Sequence, residues 1–232
     1  MKRTKKRLLL ITIILTFVLA LSAGVNLAGA DTVSDSTLFG TWKLGYVLGN
    51  GAEGLNRTID NGTSIYYFFT DDRLSGLSVA PDGSKDRLAG RAYTVSNGKL
   101  HDASGADMTV YIQDGVLHMS QSGTEMLLVR ADLDFLKGGT WYYIGLRDDG
   151  QPDTVQKTQE FLSAGGTITF TFRDTEATVA TTWNGSTSAK QVPYTVLYDN
   201  VIKMYGDTVE VLIAENQMVI TDGTTWQYYE KK

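Results

Sequence analysis

His101 and His118 are the only imidazoles in a chain that contains no cysteine. That inventory removes disulfides, thiolate metal sites and cysteine nucleophiles, and it leaves no His-x-x-x-His pair for zinc. His101 falls at a strand end, and His118 takes an outward position between Leu117 and Met119, so both read as surface residues. No serine lies in a Gly-x-Ser-x-Gly setting. Acidic groups gather at Asp71-Asp72, at Asp82 to Asp86 and at Asp148 to Asp153, yet none completes a calcium loop with its terminal Glu. Asp and Gly at such places favour tight turns for conformational reasons. No carboxylate pair is singled out for glycoside chemistry, which needs only that two acids meet in space. The expectation is therefore a non-enzyme with no catalytic residue, no metal ligand and no cofactor. Asn56, Asn61 and Asn184 lie in Asn-x-Ser/Thr settings, which matter only in a glycosylating host.

Aromatic side chains are what remains. Tyr67, Phe69, Tyr93, Phe170, Phe172, Trp183 and Tyr194 are the candidate ligand-binding residues. They either line a pocket for a small apolar molecule or fill a small core, since a barrel of eight strands is only just wide enough for side chains.

The elements that would position them are written twice. Gly40-Thr41-Trp42 recurs as Gly139-Thr140-Trp141, 99 residues on. Ile65 to Asp71 aligns with Ile168 to Asp174, Tyr93-Thr94-Val95 with Tyr194-Thr195-Val196, and Met108 to Ile112 with Val209 to Ile213. Order is kept and the offset stays between 99 and 103, which marks a duplication. In copy one, alternating runs cover Thr41–Leu48, Ser64–Thr70, Leu74–Val79, Leu88–Val95, Lys99–Asp102, Met108–Ile112, Val116–Ser120 and Thr124–Arg130. Asp82-Gly83, Asn97-Gly98, Asp114-Gly115 and Ser122-Gly123 separate several of them, and such pairs are strong hairpin signals. A meander of that length must close on itself or expose edges. The predicted fold is all-β: two tandem antiparallel up-and-down barrels, residues 38–131 and 137–232. Asp153 to Leu162 breaks the rhythm and predicts a short helix in copy two, stopped by Gly165-Gly166. The corresponding Gly49 to Gly54 in copy one reads as a loop.

The Gly-x-Trp triplet at the head of an eight-strand meander resembles lipocalin-like domains, in particular the tandem lipocalin-like repeats of secreted bacterial proteins. The resemblance covers Leu38 to Arg130 and Lys137 to Lys232. It implies barrels with apolar interiors and names no ligand. It also implies a Trp–Arg contact closing one barrel end. In copy one, Arg130 ends the last strand beside Trp42 and can lie across the indole. In copy two, a count along the last strand puts Glu230 opposite Trp141 and gives Lys231 the wrong parity.

Parity also sorts the faces. Ile65, Tyr67 and Phe69 point inward, which leaves Tyr66, Phe68, Leu127 and Val129 outside barrel one and Tyr142, Ile144 and Leu146 outside barrel two. Apolar groups on outer faces mark contact surfaces, here either between the two barrels or with an external partner.

Residues 1–30 read as a bacterial secretory signal peptide: Lys2, Arg3, Lys5, Lys6 and Arg7, an apolar run from Leu8 to Val25, then Ala28-Gly29-Ala30. An uncleaved anchor is the rival reading. The place of a lipid-bearing cysteine after Leu21 to Gly24 is taken by Val25. Removal takes five basic and no acidic residues from 21 and 26, leaving 16 against 26 and a formal charge of −10. That field repels phosphate backbones and anionic lipid, so nucleic acid is not an expected partner. The expected product is secreted, without a stable membrane anchor, and acts by binding: a small apolar ligand in a barrel or, alternatively, an extracellular protein on the outer aromatics.

Overall fold

A computed structural model describes residues 33–105, 107–148 and 151–232. The expected signal peptide, 1–30, lies outside the described residues. Among the described residues, no helix is long and apolar enough to cross a membrane.

The chain divides between Arg130 and Ala131 into two units, and each is a closed barrel of eight antiparallel strands in meander order. Barrel one comprises β1 (Gly40–Gly49), β2 (Ser64–Phe69), β3 (Arg73–Val79), β4 (Lys85–Ser96), β5 (Lys99–Asp102), β6 (Asp107–Gln113), β7 (Val116–Gln121) and β8 (Thr124–Arg130). Barrel two comprises β9 (Thr140–Asp148), β10 (Thr167–Phe172), β11 (Glu176–Trp183), β12 (Ser186–Tyr198), β13 (Val201–Met204), β14 (Asp207–Ala214), β15 (Gln217–Thr221) and β16 (Thr225–Lys231). Two-residue turns set the register. Asn97 and Gly98 sit at φ 52° and 69°, Asp114 and Gly115 at 52° and 77°, Asn184 and Gly185 at 49° and 74°. Both centres at positive φ match the turn to the right-handed strand twist.

Each barrel begins with a short helical plug. In barrel one this is α1 (Asp35–Leu38), in barrel two a 3₁₀ turn (Asp132–Phe135). The buried indole of Trp42 donates to the Leu38 carbonyl at 2.8 Å, and that of Trp141 to the Leu136 carbonyl at 2.9 Å. Residues 132–136, which lie between the expected barrel bounds, pack on the second barrel: Leu136 joins its core, and buried Asp132 accepts the Ile213 amide at 2.6 Å. That amide lies on β14 beyond the last residue paired with β13, so the carboxylate takes the place of a strand partner.

A helix also follows the first strand of each barrel. In barrel two the expected one is present as α3 (Pro152–Ser163), with Pro152 in its first turn, where a missing N–H costs nothing. In barrel one the loop expected from Gly49 to Gly54 is instead the start of α2 (Ala52–Asp60). Gly51, at φ 78°, leads the chain in, and Ala52, Leu55 and Ile59 then pack on the barrel core at helical spacing. Asn56 fixes the helix to β1. Its side-chain oxygen accepts the Val47 amide at 2.9 Å, and its amide donates to the Val47 carbonyl at 2.7 Å.

A one-residue bulge interrupts both first strands, at Gly45 against β8 and at Ile144 against β16. It overturns two expectations of parity. Trp141 pairs with Lys231, not with Glu230, which pairs with Tyr142. Leu146 pairs with Gln227, two residues from the buried Tyr229, and so shares the inner face instead of the outer one.

Candidate functional site

Six of the seven candidate aromatics are buried in the two cores. In barrel one, Phe69 meets Tyr93 edge-on with centroids 5.6 Å apart, and Tyr67 lies in the same cluster. Tyr93 donates to the Thr70 carbonyl at 2.7 Å, and Tyr67 reaches the Met126 sulfur at 3.6 Å. Burial pushes the Tyr67 phenol up to about 12. In barrel two, Phe170 and Phe172 stack at 5.8 Å, Phe170 meets Tyr229, and Phe172 meets Tyr194 edge-on. Tyr194 donates to the Arg173 carbonyl, repeating the bond that Tyr93 makes in barrel one. The same hydroxyl locked to the same turn in both copies is a packing device.

Trp183 stands apart. It is 41% exposed and stacks on Phe161 of α3 at 5.1 Å, so it holds the helix and lines no interior.

The opposite end of each barrel is closed by a cation on the first tryptophan. Arg130 lies 4.0 Å from the Trp42 ring centroid, as the strand ends require, and Lys231 lies 4.9 Å from that of Trp141.

Outer faces carry the remaining chemistry. Of the outward residues, Tyr66 and Phe68 are buried, whereas Val129 and Ile144 are exposed. On barrel two, the β12–β13 hairpin exposes Leu197 and Tyr198, the latter 63% accessible, and Tyr205 follows β13 at 54%. Beside Tyr205 runs a groove of about 310 Å³ lined by Lys190, Gln191, Pro193, Thr195 and Lys203, with the Lys190 ammonium 5.4 Å from the Tyr205 ring.

Both histidines sit on barrel one and both contact a carboxylate. His118 Nδ1 lies 2.8 Å from Glu125 Oε1, which also accepts the Tyr111 hydroxyl at 2.8 Å, and the two rings stack at 4.4 Å. Burial and the Glu125 bond push the Tyr111 phenol up to about 12. His101 Nδ1 lies 2.6 Å from Asp107 Oδ1, and its Nε2 lies 3.1 Å from Ser96 Oγ. The sequence places His101 at the surface, and the structure gives it two partners there. The Asn97-Gly98 turn signals the first partner, because it pairs Ser96 with Lys99 and so brings His101 diagonally beside Ser96, while Asp107 depends on the β5–β6 register.

Acidic clusters serve turns. Asp82 accepts the Ser84 amide and Asp72 the Thr70 hydroxyl. Among the described residues, no three His, Asp or Glu side chains gather as a metal site.

No family model matches the chain, and no curated protein does. Among solved structures it is similar to the DNA polymerase III beta chain of Streptococcus pneumoniae at 8% identity and TM-score 0.21, over 92% of this chain and 67% of that one. The DNA polymerase beta subunit of Streptococcus pyogenes gives 9% and 0.21 over 92% and 68%. The DNA polymerase III beta subunit of Thermotoga maritima gives 10% and 0.20 over 91% and 67%. Likeness of that size carries no argument about this chain.

Proposed function

We propose that this chain is an exported binding protein, built of two lipocalin-like barrels, that engages an extracellular protein through its outer surface. The observation that carries the reading is the exposure of Leu197, Tyr198 and Tyr205 on barrel two, with Tyr205 lining the lysine-flanked groove. Large apolar and aromatic groups left accessible on a surface hairpin are the composition of contact surfaces. The interiors favour this over a calyx, because the aromatics that would line a pocket pack on one another, with the Tyr67, Tyr93 and Tyr194 hydroxyls already bonded. Export rests on the basic head, apolar run and small-residue exit of residues 1–30.

Native mass spectrometry of protein recovered from its producing organism separates the two readings. The expected result is a protein-mass adduct that is lost when Leu197, Tyr198 and Tyr205 are all changed to Ser. Retained small-molecule mass, unaffected by that variant, would replace the surface reading with the calyx. N-terminal sequencing of the same material should begin at Asp31, and full-length chain in the membrane fraction would overturn cleavage.

A further inference from the structure

We propose that Ser96, His101 and Asp107 form an acyl-transfer site on the outer face of barrel one, with small carboxylic esters as its substrate class. The inference is independent of the binding surface on barrel two. Three adjacent strands hold the groups: Ser96 ends β4, His101 lies on β5, and Asp107 opens β6 directly opposite His101 in the register. The order of contacts is what gives the row chemical meaning. Asp107 Oδ1 stands 2.6 Å from His101 Nδ1, and Ser96 Oγ stands 3.1 Å from His101 Nε2. A carboxylate only accepts, so the proton of the neutral ring sits on Nδ1 and Nε2 is left as the base facing the serine hydroxyl. Serine, imidazole and carboxylate linked through those two nitrogens are the arrangement that activates a hydroxyl nucleophile.

The turn after Ser96 carries the backbone donors that such a site also calls for. Asn97 and Gly98 have φ of 52° and 69°, and a two-residue turn between the paired Ser96 and Lys99 leaves their N–H groups outside the ladder. Those donors directly follow the nucleophile in the chain, and backbone donors are what a developing oxyanion requires. In the forward step Ser96 Oγ bonds to the ester carbonyl carbon, His101 Nε2 takes the hydroxyl proton, and the alkoxide leaves with that proton as the alcohol. Water then adds to the acyl-serine, gives a proton to His101, and the carboxylic acid departs as the proton returns to Ser96. Ester and water become acid and alcohol, with no other reactant. Ser96 and Asp107 are exposed and His101 is half-exposed. Water therefore reaches the acyl-enzyme freely, while the site forgoes the low dielectric that strengthens enclosed triads. Asp107 acts through His101 and is a positioning residue.

The test uses the whole chain with a fluorophosphonate probe and p-nitrophenyl acetate. Peptide mapping should place the phosphonate on Ser96, and the label should vanish in Ser96→Ala. Ester hydrolysis should fall roughly a hundredfold in Ser96→Ala and His101→Asn, the low end of what a general base contributes, about 10²–10⁴. Asp107→Asn should slow both reactions and Asp107→Glu should restore them, which a merely structural role would not produce. His118→Asn is the internal control, since that ring shares its carboxylate with a phenol and not with a serine. Thermal melts of each variant establish that it is folded. Absence of label on Ser96, or equal labelling of the native chain and folded His101→Asn, overturns the proposal.

Discussion

The Arg130 guanidinium lies over the Trp42 indole, 4.0 Å from its centroid, while its two terminal nitrogens donate to the Phe39 and Thr37 carbonyls at 2.7 and 2.8 Å. The cation therefore closes the barrel end and ties the plug before β1 to the end of β8. Arg130→Ala should destabilise barrel one by about 2–4 kcal/mol, combining ~0.5–2 from the ring contact with the loss of two charge-assisted bonds. In barrel two the cation is Lys231, with one bond to the Lys137 carbonyl at 3.2 Å. Lys231→Ala should cost less, about 1 kcal/mol, and Glu230→Ala close to nothing. Urea denaturation of the three variants checks the ranking, and a larger loss from Glu230→Ala than from Lys231→Ala would contradict the register.

Asp132 offers a sharper case, because one oxygen replaces a whole strand partner for Ile213. Asp132→Ala should destabilise barrel two by about 1–3 kcal/mol, the cost of leaving a buried N–H unpaired. Asp132→Asn keeps an acceptor and should lose less. Hydrogen exchange at the Ile213 amide, faster in the alanine variant alone, identifies the bond as the cause.

How far these features could be read in advance differs by type. All eight strands of copy one follow from alternation and two-residue turns, because those signals are local. The Trp42–Arg130 contact follows too, since antiparallel closure fixes which strand ends meet. The Trp141–Lys231 contact does not, because the bulge at Ile144 changes parity, and Gly145 beside it is one of many glycines, most of which mark turns and not bulges. Helix α2 hides behind Gly49-Asn50-Gly51, whose turn chemistry masks the Ala52, Leu55 and Ile59 stripe that follows. Ser96, His101 and Asp107 needed the register of three strands at once.

Tyr67 makes stability depend on alkaline pH. Its phenol is raised by burial to about 12 in the folded chain, from an ordinary value of 10.0. A folded-state value above the unfolded one means the contribution is full below pH ~10 and is lost as pH rises towards 12. Two pH units correspond to about 2–3 kcal/mol. Tyr67→Phe gives up only a weak bond to the Met126 sulfur, so it should cost little at pH 7 and should flatten the loss between pH 10 and 12. Equal alkaline loss in the native chain and the Phe variant would show that other groups drive it. Guanidinium titrations at pH 8 and 11 measure the difference.

The last prediction concerns how α3 is held against barrel two. Phe161 stacks on Trp183 with centroids 5.1 Å apart, and a Cβ added to Gly166 would fall 2.4 Å from the Phe161 ring. That approach is closer than any carbon contact permits, so Gly166→Ala must push the ring off the indole or shift the turn that ends the helix. Aromatic pairs contribute about 0.5–1.5 kcal/mol beyond area burial. Gly166→Ala and Phe161→Ala should each destabilise barrel two, and Trp183 fluorescence should change in both as its ring partner leaves. Both changes act on one contact, so the double variant should cost clearly less than the two single losses added together. Phe161→Ala removes the ring that the new methyl would strike, and the second substitution then finds open space. Strict additivity would mean that Gly166 is required for the turn itself and that the helix is held by contacts other than this stack.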